Sequence, residues 1–131
     1  MSSICSEETL ISVQKMLENV VEKPWGTANN IFDENIKIAG KTGTSQIDYN
    51  LEETQYVSSF VGYFPSNKPK YVLLVMLEDP QVAKNLVYDY KGMKIKAFRN
   101  EAGWNSVYVA GKIIKKIGPI LAIKNKDFNE N

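Results

Sequence analysis

The residues with the most informative chemistry form one short segment, 38–44 (IAGKTGT), which places a lysine, a glycine and two threonines at the end of a predicted strand. Glycine in a strand lets a second backbone approach closely. Lys41 offers positive charge to a carboxylate, and the hydroxyls of Thr42 and Thr44 can hydrogen-bond the same group. The segment could therefore bind a carboxylate at a strand edge. Taken on its own, it fits better an edge strand that runs into a glycine turn, with the lysine discouraging aggregation.

The sequence excludes several kinds of catalytic site. It contains no histidine and a single cysteine, Cys5. Ser-His-Asp and Cys-His catalysis, histidine-ligated zinc or haem and an internal disulfide are therefore all excluded. If the chain belongs to an enzyme, a lysine or a carboxylate must move the protons. Cys5 has no histidine to activate it, and we do not assign it as a nucleophile.

An amphipathic helix is predicted near the start of the chain. Ser6 supplies a capping hydroxyl, and Glu7 and Glu8 place negative charge in the first turn. Apolar residues then recur at helical spacing on one face: Leu10, Val13, Leu17, Val20 and Val21. Pro24 and Gly26 end the helix, and residues 24–35 are predicted to form a polar loop.

Three strands are predicted next, over residues 36–44, 57–64 and 70–77. The first begins with strict alternation, in which Ile36 and Ile38 alternate with polar or small residues. A short proline-containing turn joins the second and third strands, which predicts an antiparallel hairpin. Because the third strand is apolar on both faces, it is predicted to lie in the middle of a sheet that is covered on both sides.

The last third of the chain is predicted to be a linking region followed by a helix. Residues 79–103 give mixed signals, with a short helical turn over 82–90, and residues 104–117 form a second amphipathic helix. Gly118 and Pro119 are predicted to stop that helix, and the tail after Ile123 to be frayed. The order predicts an α+β fold, in which N- and C-terminal helices pack on a three-stranded antiparallel sheet.

Length, composition and charge restrict the class of protein. The 131 residues are enough for one domain, and 44% hydrophobic beside 24% charged residues is typical of a globular chain. No apolar run approaches the roughly 20 residues that span a bilayer. Residues 1–66 carry a net charge of −5 and residues 67–131 one of +6, without an RNA-binding pattern. We expect no nucleic-acid partner.

Segments along most of the chain resemble one protein family. Segment 38–44 resembles the K-T-G motif of penicillin-recognising serine D,D-transpeptidases and β-lactamases. Residues 7–28, 57–65, 71–80 and 102–114 resemble the elements around it in class B, division-type (FtsI-like) penicillin-binding proteins. The resemblance covers residues 6–123, in order. It implies that residues 1–131 are the C-terminal fragment of a transpeptidase domain, with an incomplete β-lactamase/transpeptidase-like fold.

The resemblance implies roles for the four motif residues in septal cell-wall synthesis. The peptidoglycan stem peptide or a β-lactam would lie along the K-T-G strand as an added strand. Lys41 would act electrostatically beside the substrate carboxylate, and Gly43 would give room for the incoming backbone. The Thr44 hydroxyl would bind the carboxylate and its N–H would serve the oxyanion hole, which requires twist or a bulge near Gly43. The Thr42 side chain would point into the fold.

The family also needs a nucleophilic serine and a base lysine in S-x-x-K, and an S-x-N motif. No S-x-N precedes Lys41. Ser12 and Lys15 match S-x-x-K literally, but they fall inside a predicted helix that resembles another part of the domain, and we interpret them as an exposed helix face. We therefore expect the chain alone to be inactive, and the resemblance implies no cofactor or metal. The carboxylates of Asp48, Glu52 and Glu53 could hold a metal, but we interpret them as a solvated acidic loop.

Partners and location follow as expectations. The strand over 70–77 would leave an open hydrophobic edge, which predicts self-association or domain swapping. The parent protein would be anchored in the bacterial inner membrane with this domain in the periplasm, and this chain would be soluble without membrane contact. Two alternatives remain open at this point: a non-catalytic module that binds a peptide as an added strand, and the C-terminal piece of a serine β-lactamase.

Overall fold

The computed structural model describes residues 4–47, 55–82, 84–90, 92–96 and 101–127. Its elements are two α-helices, five strands and two single-turn 3₁₀ helices, at Asn29–Ile31 and Ala102–Trp104. In chain order they are α1 (Glu7–Glu22), β1 (Ala39–Gln46), β2 (Tyr56–Phe64), β3 (Tyr71–Glu78), β4 (Val87–Tyr90), β5 (Met93–Lys96) and α2 (Ser106–Asp127). The predicted α+β class, with a three-stranded antiparallel sheet and two helices, is confirmed.

The first helix begins and ends as its sequence predicts. Ser6 is the N-cap, and its Oγ accepts the backbone N–H of Thr9 at 3.2 Å. The Lys23 N–H closes the last turn by donating to the Asn19 carbonyl. Only Val21 of this helix is buried, and the apolar side chains of its first half stay exposed within the described part of the chain.

The sheet has the order β1-β2-β3, and each neighbouring pair is antiparallel. The first strand lies later in the chain than predicted: β1 covers Ala39–Gln46 instead of residues 36–44. Ile38 is buried in the core, so its alternation with Lys37 reflects packing and not strand pairing. The Lys37 carbonyl instead accepts the N–H of Ser66 in the turn after β2.

The prediction that the third strand is central and covered on both faces is wrong for the described residues. β2 is the central strand and β3 lies at the edge. Alternate residues of β3 face the core, but Val72, Leu74 and Met76 are 77%, 59% and 62% exposed. Apolar residues on both faces of a strand show that both faces suit burial, but they do not specify which segment covers the second face.

A small hairpin replaces the short helical turn predicted over residues 82–90. β4 pairs antiparallel with β5, and Tyr90 lies opposite Met93. Gly92 adopts a φ of 80°, the left-handed conformation that glycine permits in a tight turn. Tyr88 anchors the hairpin, since its ring is buried and its hydroxyl donates to the Trp104 carbonyl. This long-range contact overrides the local helical signal.

The second helix starts later and ends later than predicted. It covers Ser106–Asp127 and passes through Pro119. Proline inside a helix loses one N–H donor, and its ring collides with the Cβ of the preceding residue. Gly118 has no Cβ, and this removes the second penalty. The predicted stop at Gly118 and Pro119 is therefore wrong.

The core lies between the inner face of the sheet and α2. Phe60 at the centre of β2 is fully buried, and Val107 and Ile114 of α2 are 0% and 1% exposed. Val21 of α1 joins the same cluster. α1 contacts β1, whereas α2 packs on β2 and β3, and the K-T-G segment lies on β1, an edge strand of the described sheet.

Candidate functional site

The ladder between β1 and β2 decides which backbone groups of the K-T-G segment are available. The Ile47 N–H donates to the carbonyl of Gln55, its directly opposite residue, at 2.9 Å. Hydrogen-bonded and non-hydrogen-bonded pairs alternate along an antiparallel ladder. Counting back from Ile47, Lys41 and Gly43 bond to β2. The N–H and C=O groups of Thr42 and Thr44 therefore point away from β2, toward the open edge of β1.

Lys41 lies exposed on the outer face of the sheet. It is opposite Val61 of β2, which is in turn opposite Leu74 of β3, so the three side chains share that face. The Lys41 ammonium donates to the Thr42 carbonyl at 2.8 Å, as expected if that carbonyl faces the open edge. Among the described residues Lys41 forms no ion pair, and an ammonium has two further protons for a ligand.

Thr44 lies on the opposite face of β1 from Lys41. Its Oγ1 accepts the backbone N–H of Ala102 at 3.1 Å. A hydroxyl that accepts one bond can still donate its own proton, so Thr44 remains a possible donor to a carboxylate. The pairing of β1 with β2 is regular through Gly43, without a bulge in this described stretch. Strand twist alone would have to bring Thr44 and Lys41 to one ligand.

Thr42 and Gly43 complete the segment. The Thr42 side chain lies on the inner face, as predicted, and its Oγ1 is 2.9 Å from the Thr27 Oγ1. A Cβ added at Gly43 would lie 2.7 Å from the Ser59 Oγ, so the position suits glycine. The structure thus brings the four motif residues to one strand edge with Lys41 on one face and the two threonine side chains on the other.

Sequence reasoning missed the residues that hold the segment before α2 against this strand. Ser58 on the inner face of β2 is fully buried, and its Oγ donates to the Asn105 Oδ1. The Asn30 side chain donates to the Gly103 carbonyl at 2.7 Å. The one local signal was Asn105, a good capping residue directly before an amphipathic helix. Its partner Ser58 is 47 residues away in sequence.

Other candidate residues are not brought to this edge. Ser12 and Lys15 are both exposed on α1, and Lys15 pairs with Glu18 at 3.6 Å. Cys5 is exposed ahead of that helix. The possible metal ligands Asp48, Glu52 and Glu53 lie outside the described residues. Among those described, no three acidic or thiol side chains form a group suited to a metal.

One further observation concerns membranes. The part of the chain that the structure describes has no helix with both the length and the apolar character needed to cross a bilayer.

Comparison with known proteins points to one family. Residues 3–100 match the model of the penicillin binding protein transpeptidase domain. A peptidoglycan D,D-transpeptidase FtsI homolog from Chlorokybus atmophyticus is 36% identical over 83 residues, which are 60% of this chain and 12% of that protein. A probable peptidoglycan D,D-transpeptidase FtsI from Caulobacter vibrioides is 29% identical over 133 residues, covering 94% of this chain and 21% of that protein.

Solved structures agree with the sequence matches. The transpeptidase domain of the FtsI4 D,D-transpeptidase from Legionella pneumophila is 30% identical, with a TM-score of 0.55, over 82% of this chain and 37% of that domain. A peptidoglycan glycosyltransferase structure from Atopobium parvulum has a TM-score of 0.63 at 21% identity, a likeness of fold alone. The chain therefore spans about an eighth to a fifth of these curated relatives and about a third of the solved domain.

Proposed function

The chain belongs to the penicillin-binding protein transpeptidase family, and from this premise we propose that it forms the K-T-G side of a peptidoglycan D,D-transpeptidase site. One observation carries the proposal: the exposed Lys41 ammonium lies beside a strand edge toward which the backbone N–H and C=O groups of Thr42 and Thr44 point. An extended peptide can add to such an edge through main-chain hydrogen bonds. The serine nucleophile would come from outside these 131 residues.

Three of the four motif residues would contact a stem peptide that ends in a carboxylate. The Thr44 N–H and the Thr42 carbonyl would bond its backbone along the edge. The Lys41 ammonium would keep its hydrogen bond to the Thr42 carbonyl and donate a second hydrogen bond to the ligand carboxylate. A charge-assisted bond of this kind is roughly twice as strong as a neutral one. Thr44 would donate its hydroxyl proton while it accepts the Ala102 N–H.

Titration with diacetyl-Lys-D-Ala-D-Ala, followed by ¹H–¹⁵N NMR, tests this assignment. We expect the amide signals of Thr42 and Thr44 to shift with millimolar peptide. Lys41→Met should weaken the binding several-fold. Lys37→Met is the matched control, because Lys37 is also exposed and lies just before the same strand. Equal binding by both variants would refute the role of Lys41 and favour a simple strand-addition module.

Intact mass after incubation with excess benzylpenicillin tests the place of the nucleophile. We expect no added mass, because Ser12 lies exposed on α1 and Lys15 is paired with Glu18. A stoichiometric adduct would show that a residue of this chain is an activated nucleophile, and it would overturn that part of the proposal.

We propose in addition that the isolated chain self-associates through β3. The side chains of Val72, Leu74 and Met76 form an exposed apolar row on β3. The Asp79 N–H donates to the carbonyl of Tyr56, its opposite residue, and hydrogen-bonded pairs alternate along the ladder. The backbone N–H and C=O groups of the three apolar residues therefore point to the open edge. Such an edge is a template for a second copy. Sedimentation should show a concentration-dependent dimer that Leu74→Lys abolishes and Leu10→Lys, on α1, does not. A stable monomer at all micromolar concentrations would contradict this.

The cellular setting follows from the same family membership. We propose that the whole protein is anchored in the bacterial inner membrane with this domain in the periplasm. A reporter that is active only outside the cytoplasm, fused after Asp127 of the full-length protein, should be active. An inactive, stably expressed fusion would contradict a periplasmic location.

A further inference from the structure

A cavity of about 830 Å³ opens between the loop after α1, the β4–β5 hairpin and the first half of α2. Neither Lys41 nor Thr44 lines it. Its volume lies within the range of small-molecule sites, about 300–1,000 Å³. The side chains that shape it include Ile31, Val87, Tyr88, Ile95, Trp104 and Tyr108.

Aromatic rings build one wall of this cavity. The Tyr88 ring packs edge-on against Tyr108 at 4.9 Å and against Trp104 at 5.5 Å between centroids. The Tyr88 hydroxyl is already used as a donor to the Trp104 carbonyl. Burial raises the pKa of Tyr88, with Tyr108 adding to the shift, so this donor stays protonated at neutral pH. The wall is therefore fixed in shape and presents rings to an apolar or aromatic guest.

The rim of the cavity is positively charged. Lys112 and Lys115 both line it, one turn apart on the same side of α2. The Lys112 Nζ lies 5.3 Å from the centre of the Tyr108 ring, which holds its charge at the mouth. Among the described residues that line the cavity, none is an aspartate or glutamate. An acidic group placed at this rim would lie near two cations.

We propose that this cavity binds an amphipathic organic anion, with an aromatic or alkyl body against the aromatic wall and Ile95 and one acidic head group at Lys112 and Lys115. The proposal does not depend on the transpeptidase assignment. A small molecule fits this cavity because the apolar surface is concave and the two lysines that line it lie on one side of the rim.

Fluorescence titration with 8-anilinonaphthalene-1-sulfonate, an aromatic monoanion, tests the proposal on the full chain. We expect saturable binding, weakened about fivefold by the double variant Lys112→Gln/Lys115→Gln, since each exposed ion pair changes an equilibrium constant by up to about fivefold. Lys116→Gln/Lys124→Gln removes the same charge from the same helix outside the cavity and should change the dissociation constant less than twofold. The neutral N-phenyl-1-naphthylamine should bind both double variants equally.

A second pair of variants separates this cavity from the apolar outer face of the sheet. Val87→Trp fills the cavity mouth, whereas Val72→Trp enlarges another exposed valine, on β3 outside the cavity. We expect only Val87→Trp to block the probe. If the two lysine pairs weaken binding alike, or if Val72→Trp is the blocking variant, the probe binds elsewhere and the proposal is wrong.

Discussion

Removing the Thr44 hydroxyl should loosen the contact between the K-T-G strand and the segment before α2. The Thr44 Oγ1 accepts the N–H of Ala102, a residue only 1% exposed. Thr44→Val keeps the shape of the side chain but leaves this buried N–H without its acceptor. A buried donor left unpaired costs about 1–3 kcal/mol.

The position of Thr44 places the cost in the lower half of that range. The threonine itself is exposed, so water can partly replace the lost hydroxyl as the acceptor of the Ala102 N–H. We expect Thr44→Val to lower the free energy of unfolding by about 1–1.5 kcal/mol. Amide exchange at Ala102 should accelerate by about tenfold, since about 1.4 kcal/mol corresponds to a factor of ten.

Urea unfolding and hydrogen exchange followed by NMR measure the two effects. Thr44→Ser is the matched control, because serine keeps the acceptor and the donor and loses only a methyl group. It should leave exchange at Ala102 close to that of the parent chain and retain binding of the D-Ala-D-Ala peptide, which Thr44→Val should lose. Unchanged exchange at Ala102 in Thr44→Val would refute the proposed coupling of this strand to the segment before α2.

Three further predictions concern stability. Pro119→Ala should raise the free energy of unfolding by about 1–3 kcal/mol because it restores a helical N–H, whereas Gly118→Ala should lower it, since the new Cβ would collide with the ring of Pro119 in the helix; urea unfolding should show opposite signs. Ile114→Ala should cost about 2–5 kcal/mol, and Ile120→Ala, at an exposed site of the same helix, about 0.5 kcal/mol or less. Burial, and to a smaller extent a nearby glutamate, raises the pKa of Tyr63 above the usual 10.0. The contribution of the neutral tyrosine to the free energy of unfolding is therefore complete below pH 10 and is lost as the pH rises further. Between pH 8 and pH 11 the urea midpoint should therefore fall more for the parent chain than for Tyr63→Phe, and an equal fall would contradict the assignment.

The local sequence determined the features that depend on short-range chemistry. The Ser6 cap and the acidic first turn defined the start of α1, and the proline-containing turn defined the β2–β3 hairpin. The K-T-G segment was recognisable because the segments around it along the chain resemble the same family, whereas its own residue types also fit a plain edge strand. The absence of histidine already excluded catalytic and metal sites in this chain that depend on a histidine.

Tertiary contacts decided the rest. A proline beside a glycine signals a helix end locally, yet α2 continues through Pro119. The β4–β5 hairpin forms because Tyr88 is buried against Trp104 and Tyr108, which no local pattern encodes. The edge position of β3 depends on which segments are available to pair with it. Short-range propensities amount to about 1 kcal/mol per residue or less for most residues, whereas burying one large side chain contributes about 1.5–3 kcal/mol, so packing decides wherever the two conflict.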